Sequence, residues 1–109
     1  IEDFKKNGNK SSFFFADLMK FYSKFHRQLY ETNESPLHDP CVIAYLIEPS
    51  LFKGKLVNVV VEKDSPITRG KTVVDWLGVT KRKTNCTVIT EVNHKSFFSL
   101  LKKELKLLN

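Results

Sequence analysis

His38 and Asp39 stand side by side in Ser35-Pro36-Leu37-His38-Asp39-Pro40, directly ahead of the apolar run Cys41-Val42-Ile43-Ala44-Tyr45-Leu46. An imidazole can give up a proton near neutral pH and a carboxylate can hold a hard cation, so the pair offers an acid and a cation ligand to one substrate. Each residue also has a plainer use. Asp before Pro and an apolar run is a common helix start, with Asp39 as the N-cap acceptor and Pro40 in the first turn, where its missing N–H is no loss. The run from Cys41 to Leu46 is expected to bury itself and so hold the pair at the mouth of a rigid helix.

Other chemistry is thinly represented. There is no Gly-rich phosphate loop, no Gly-x-Ser-x-Gly elbow and no Cys/His nucleophile arrangement. Cys41 and Cys86 lack the spacing of a metal site, and both read as buried thiols of a reducing compartment, hence a cytoplasmic protein. The formal charge of +6 raises the alternative of a non-enzymatic basic module contacting nucleic acid or an acidic protein. Only Lys81-Arg82-Lys83 and Lys102-Lys103 with Lys106 cluster, however, and the second group suits the last turns of a helix. Nucleic acid is therefore not an expected partner. Nor is a membrane, because no apolar run approaches a bilayer span, and no secretory signal is visible after Ile1.

The positioning elements follow from periodicity. After a polar lead, Ser11 or Ser12 can cap a long helix to about Tyr30, with Phe14, Leu18, Phe21, Tyr22, Phe25 and Leu29 forming a stripe expected in the core. A loop spans 32–37, and Pro49 closes the short helix that starts at Pro40. Strands are expected at Leu56–Glu62, Thr72–Trp76 and Cys86–Val92, and Gly70 supplies an unusual backbone turn in Thr68-Arg69-Gly70. Asn93 caps a last helix with Phe97, Leu101, Leu105 and Leu108 on one face. His26 reads as solvated, His94 as a cap-region residue and Trp76 as packing. At 109 residues the chain is one small α/β segment, too short for two cores and with too few alternations for a complete doubly wound sheet.

Four pieces in order carry a resemblance: Phe21-Tyr22-Ser23-Lys24-Phe25-His26-Arg27; Leu37-His38-Asp39-Pro40 with Ala44-Tyr45-Leu46; Pro49-Ser50-Leu51-Phe52; and Thr68-Arg69-Gly70-Lys71-Thr72-Val73-Val74-Asp75. From about Leu18 to Leu108 the chain resembles the C-terminal part of the inosine-uridine preferring nucleoside hydrolase family. The resemblance implies an α/β fold in which 1–109 is the C-terminal portion of an open mixed sheet with flanking helices. It implies hydrolysis of the N-glycosidic bond of ribonucleosides, in purine salvage or nucleoside catabolism, by a homo-oligomer, dimer or tetramer, that binds calcium. It makes His38 the acid that protonates the leaving base, Asp39 a calcium ligand and Tyr30 an aromatic residue near the base.

One departure stands out. The family's N-terminal aspartate signature, Asp-x-Asp-Pro-Gly-x-Asp-Asp, is missing: the five aspartates Asp3, Asp17, Asp39, Asp64 and Asp75 are each isolated. One carboxylate cannot satisfy a cation that takes six to eight oxygens, so the calcium site is incomplete in this chain, which is expected to be inactive alone.

Overall fold

Asparagines organise the long helices, because a primary amide offers an acceptor and two donors. The computed structural model describes residues 1–31 and 36–108, which fall into two compact units, Ile1–Leu51 with Asn93–Asn109 and Phe52–Val92. In the first, α1 (Glu2–Lys5) precedes α2 (Lys10–Tyr30), and Asn9 caps α2 by accepting from Ser12 N at 3.2 Å. The cap expected from Ser11 or Ser12 is thus one turn too late. Ser12 is instead fully buried in the first turn, where its Oγ accepts from Asn7 Nδ2 at 2.9 Å. Asn7 and Asn9 also donate to Lys102 O and Leu105 O of α4 (His94–Leu107), at 2.9 and 2.8 Å, and so tie the start of α2 to the end of α4.

The polar lead is ordered as α1 because Phe4 anchors it, buried edge-on against Phe15 with ring centroids 4.9 Å apart. Ion pairs from Lys5 to Asp17 and Lys20 to Glu2 fasten it to α2, and Lys102 to Asp3 fastens it to α4. As read from sequence, Asn93 caps α4 by accepting from Ser96 N at 3.1 Å, and Phe97 enters the core. The stripe on α2 does not. The helix buries Ser12, Ala16 and Met19, while Phe14, Leu18, Phe21, Phe25 and Leu29 are exposed. The reason is steric: the small-residue face lets α2 approach α1 and α4 closely, and the bulky residues are left toward solvent.

The short helix α3 (Asp39–Ile47) is followed by a 3₁₀ turn, Pro49–Leu51. Asp39 is its first helical residue, not its cap. His38 takes the cap position in right-handed helical backbone, its own side chain making no cap hydrogen bond and Cys41 N donating to His38 O at 3.0 Å. Nor does the following run bury itself: Ala44 is buried, whereas Val42, Ile43, Leu46 and Ile47 are exposed. Cys41 is half-buried, its Sγ donating to Leu37 O at 3.0 Å, and burial pushes its thiol pKa up. Cys86 is exposed, so the expectation of two buried thiols holds for neither in full.

The second unit is a three-stranded antiparallel sheet, β1 (Phe52–Val61) between β2 (Thr72–Asp75) and β3 (Cys86–Val92), in keeping with an α/β chain. The register pairs Val60 with Val73 and Leu56 with Thr87, and it slips by a bulge between Lys53 and Gly54. A Cβ on Gly54 would lie 2.8 Å from Val88 O, so only glycine lets the strands close there. Side chains finish the loops. Glu62 accepts from Asp64 N and Ser65 N, Asp75 from Val79 N and Thr80 N, and the Asn85 amide pairs with both Val59 N and Val59 O like one more ladder residue. Gly70 turns the chain at φ +89°, donating its N–H to Glu62 O, as its place in Thr68-Arg69-Gly70 suggested.

Candidate active site

Helical spacing sets one wall of the candidate site. Phe15, Leu18, Met19 and Tyr22 recur at the i, i+3, i+4, i+7 positions of α2, so they share a face that the chain's return through Pro36 and Leu37 can meet. There the fold opens a cavity of about 450 Å³, and His38 and Asp39 line it opposite that face. Both are exposed, and neither side chain hydrogen-bonds to another described residue. Residues 32–35, including most of the expected loop, lie outside the described residues.

The arrangement pairs an apolar, aromatic wall with two adjacent polar groups. Such a wall suits a flat heterocycle, and the polar pair beside it can act on an atom of that ring or on what it carries. Asp39 is not spent on its own helix, since its side chain hydrogen-bonds to no described residue. His38 sits on the first turn of α3, where the backbone holds it beside Asp39.

Tyr30 lies elsewhere. It ends α2, is 66 % exposed and is absent from the cavity wall. Tyr22, which does line the cavity, starts a ladder of rings: its centroid is 5.8 Å from that of His26, which stands 4.5 Å from that of Tyr30. Tyr30 is thus two rings removed from the cavity. His26 is not the solvated residue expected, for it is half-buried in that ladder and its Nδ1 is shut off from solvent with no hydrogen-bond partner among the described residues. Leu18, Phe21 and Tyr22 of the expected core stripe thus line the cavity, and Phe15 and Met19, which lie outside that stripe, join them. Their own helical spacing was the signal for that wall.

A metal finds little support within the chain. Among the described residues no three of His, Cys, Asp and Glu come together, and Asp39 is the cavity's one carboxylate. A hard cation that takes six to eight oxygens is not held by these residues alone. The basic surplus is likewise dispersed: Lys5, Lys6, Lys20 and Lys102 are engaged with Asp17, Asp3 and Glu2. No described helix is long and apolar enough to cross a membrane.

Residues 1–99 match the family model of the inosine-uridine preferring nucleoside hydrolases. The chain is 38 % identical over 107 residues to a pyrimidine-specific ribonucleoside hydrolase, RihA, of Salmonella schwarzengrund, covering 97 % of this chain and 34 % of that protein. It is 40 % identical over 106 residues to RihA of Shigella flexneri serotype 5b, covering 96 % and 34 %. Its fold matches a purine-preferring ribonucleoside hydrolase from Gardnerella vaginalis with a TM-score of 0.78 at 24 % identity, over 98 % of this chain and 34 % of that one. The chain therefore spans about a third of the length of the relatives it matches.

Proposed function

Because the chain belongs to the inosine-uridine preferring nucleoside hydrolase family, we propose that it is part of an enzyme that hydrolyses the N-glycosidic bond of ribonucleosides to ribose and a free base. The observation that carries the reading is the cavity in which His38 and Asp39 face Tyr22, Leu18 and Phe15 of α2. In this reading the base lies against the aromatic wall. His38, in its imidazolium form, gives a proton to a ring nitrogen of the base as the glycosidic bond breaks, so that the base leaves neutral. Tyr22 is the ring that meets the base, and Tyr30 supports it through His26. Asp39 serves as one ligand of a calcium ion whose other ligands come from outside this chain; the oligomeric state proposed for the enzyme is a homodimer or homotetramer.

The test uses the chain within a complete hydrolase domain. Replacing His38 with Ala should slow ribose release from natural nucleosides by about 10²–10⁴-fold, the usual loss for a general acid. A nitrophenyl riboside, whose leaving group departs without a proton, should lose far less. Equal losses on both substrates would remove His38 from the acid role, and no ribose release by the unaltered protein would remove the reading itself.

A further inference from the structure

The sheet unit holds a cavity of its own, of about 350 Å³, that the chemistry above does not use. Its wall combines two cations, Lys55 and Arg82, with the apolar side chains of Leu56, Trp76 and Leu77. Trp76 is 41 % exposed, so it does not serve packing alone and part of its indole is open to whatever enters. Lys55 Nζ donates to Trp76 O at 2.7 Å, which fixes an ammonium beside that residue. The Arg82 side chain is exposed and hydrogen-bonds to no described residue, which leaves its guanidinium fork open to a ligand. Asp75, the carboxylate of this cavity, is already spent on the loop, accepting from Val79 N, Thr80 N and the Thr80 hydroxyl.

The loop that carries Arg82 is tied on both sides of it. Asp75 holds the loop at Val79 and Thr80, Thr80 Oγ1 accepts from Arg82 N at 3.4 Å, and Asn58 Nδ2 donates to Lys83 O at 2.7 Å. Between these ties Lys81 stands at φ +54°, a left-handed backbone that lysine rarely adopts, and held strain of this kind gathers at ligand sites. Charge points the same way. The sheet unit carries eight lysines and arginines against four aspartates and glutamates, and Lys81 and Lys83 flank Arg82. We propose that this cavity binds a nucleoside monophosphate, with the phosphate on the Arg82 guanidinium and the Lys55 ammonium and the base against the Trp76 indole. A guanidinium fork matches the oxygens of a phosphate, and an indole face takes a flat base whatever its sequence identity. The volume stands near the lower end of the roughly 300–1,000 Å³ of ligand pockets, as suits so small a ligand. The proposal does not rest on the hydrolase reading, because His38 and Asp39 belong to the other unit.

Trp76 is the one tryptophan of the chain, so its fluorescence reports on this cavity. The whole chain is titrated with adenosine monophosphate, with adenosine and with inorganic phosphate, followed by tryptophan emission and by calorimetry. Adenosine monophosphate should bind one-to-one and change the Trp76 emission. Adenosine, which lacks the phosphate, should bind at least roughly tenfold more weakly, and inorganic phosphate should compete. Arg82→Gln should weaken the nucleotide by roughly ten- to a hundredfold, as loss of a charge-assisted contact does, and Arg82→Lys should restore part of the affinity. Since the Arg82 side chain hydrogen-bonds to no described residue, the circular dichroism of both variants should match that of the unaltered chain. No heat or emission change with the nucleotide, equal binding of adenosine, or an affinity indifferent to Arg82→Gln would each overturn the proposal. So would nucleotide binding that His38→Ala abolishes, because the ligand would then lie in the other cavity. A single-stranded oligonucleotide held far more tightly than the mononucleotide, and through Arg82, would replace the proposed ligand with nucleic acid.

Discussion

The helical unit and the sheet unit secure their carboxylates differently. In the sheet unit Glu62 and Asp75 are bound to their own loops, and the backbone N–H groups of Asp64 and Ser65 hold the Glu62 carboxyl below its usual pKa. The Thr80 hydroxyl and N–H, with Val79 N–H, do the same for Asp75. In the helical unit Asp3 is lowered to about 2 by hydrogen bonds from Lys102 and Lys6, and Asp17 is lowered by Lys5. Asp39 has no such engagement with any described residue. A carboxylate already satisfied by its loop is scaffolding, whereas one left open beside a histidine in a cavity can take a ligand. The two units also differ in how apolar residues are used, for the helical unit leaves its largest ones outside.

That contrast breaks most visibly at two phenylalanines. Phe97 is 4 % exposed, and Phe97→Ala should cost about 3–5 kcal/mol, the usual range for removing a buried aromatic ring. Phe21→Ala should stay within about 0.5 kcal/mol in the chain alone, as surface changes do. Thermal or urea unfolding followed by circular dichroism measures both, and a comparable loss at Phe21 would mean that the α2 stripe is already covered. In the sheet unit, Gly54→Ala forces a Cβ against the Val88 carbonyl and the Thr87 methyl, and should cost about 1–3 kcal/mol, as overpacking does. Hydrogen exchange at β1 and β3 amides would register it, with unchanged protection counting against the close approach.

The smallest effect separates the two kinds of aspartate. Since the Asp75 pKa is lowered on folding, its stabilisation is present above the unfolded value near 3.9 and is lost as pH falls through the folded value. Protection of the Val79 and Thr80 amides should accordingly hold at pH 5–7, decline in acid below about pH 4, and be reduced at neutral pH by Asp75→Asn. Asp39→Asn should alter neither helix content nor unfolding, because Asp39 caps nothing. A stability loss at Asp39 equal to that at Asp75 would erase the distinction.

Much of this was legible in the residues themselves. Runs rich in β-branched residues mark β1, β2 and β3, and Asn93 ahead of a 3.6-residue apolar repeat marks α4, because these are local properties of backbone and side chain. The juxtaposition of His38 and Asp39 needs no fold at all. Tertiary structure decided the rest. Whether Asn9 or Ser12 capped α2 depended on which side chain could also reach the end of α4. Hydrophobic periodicity finds an apolar face, yet burial depends on what lies opposite it, so the Phe14–Leu29 stripe was read as core and stands exposed while Ser12 and Ala16 are buried. The cavity wall formed by Phe15, Met19 and Tyr22 likewise exists only because the return through Pro36 brings His38 and Asp39 against that face of α2, a long-range contact that no local sequence pattern encodes.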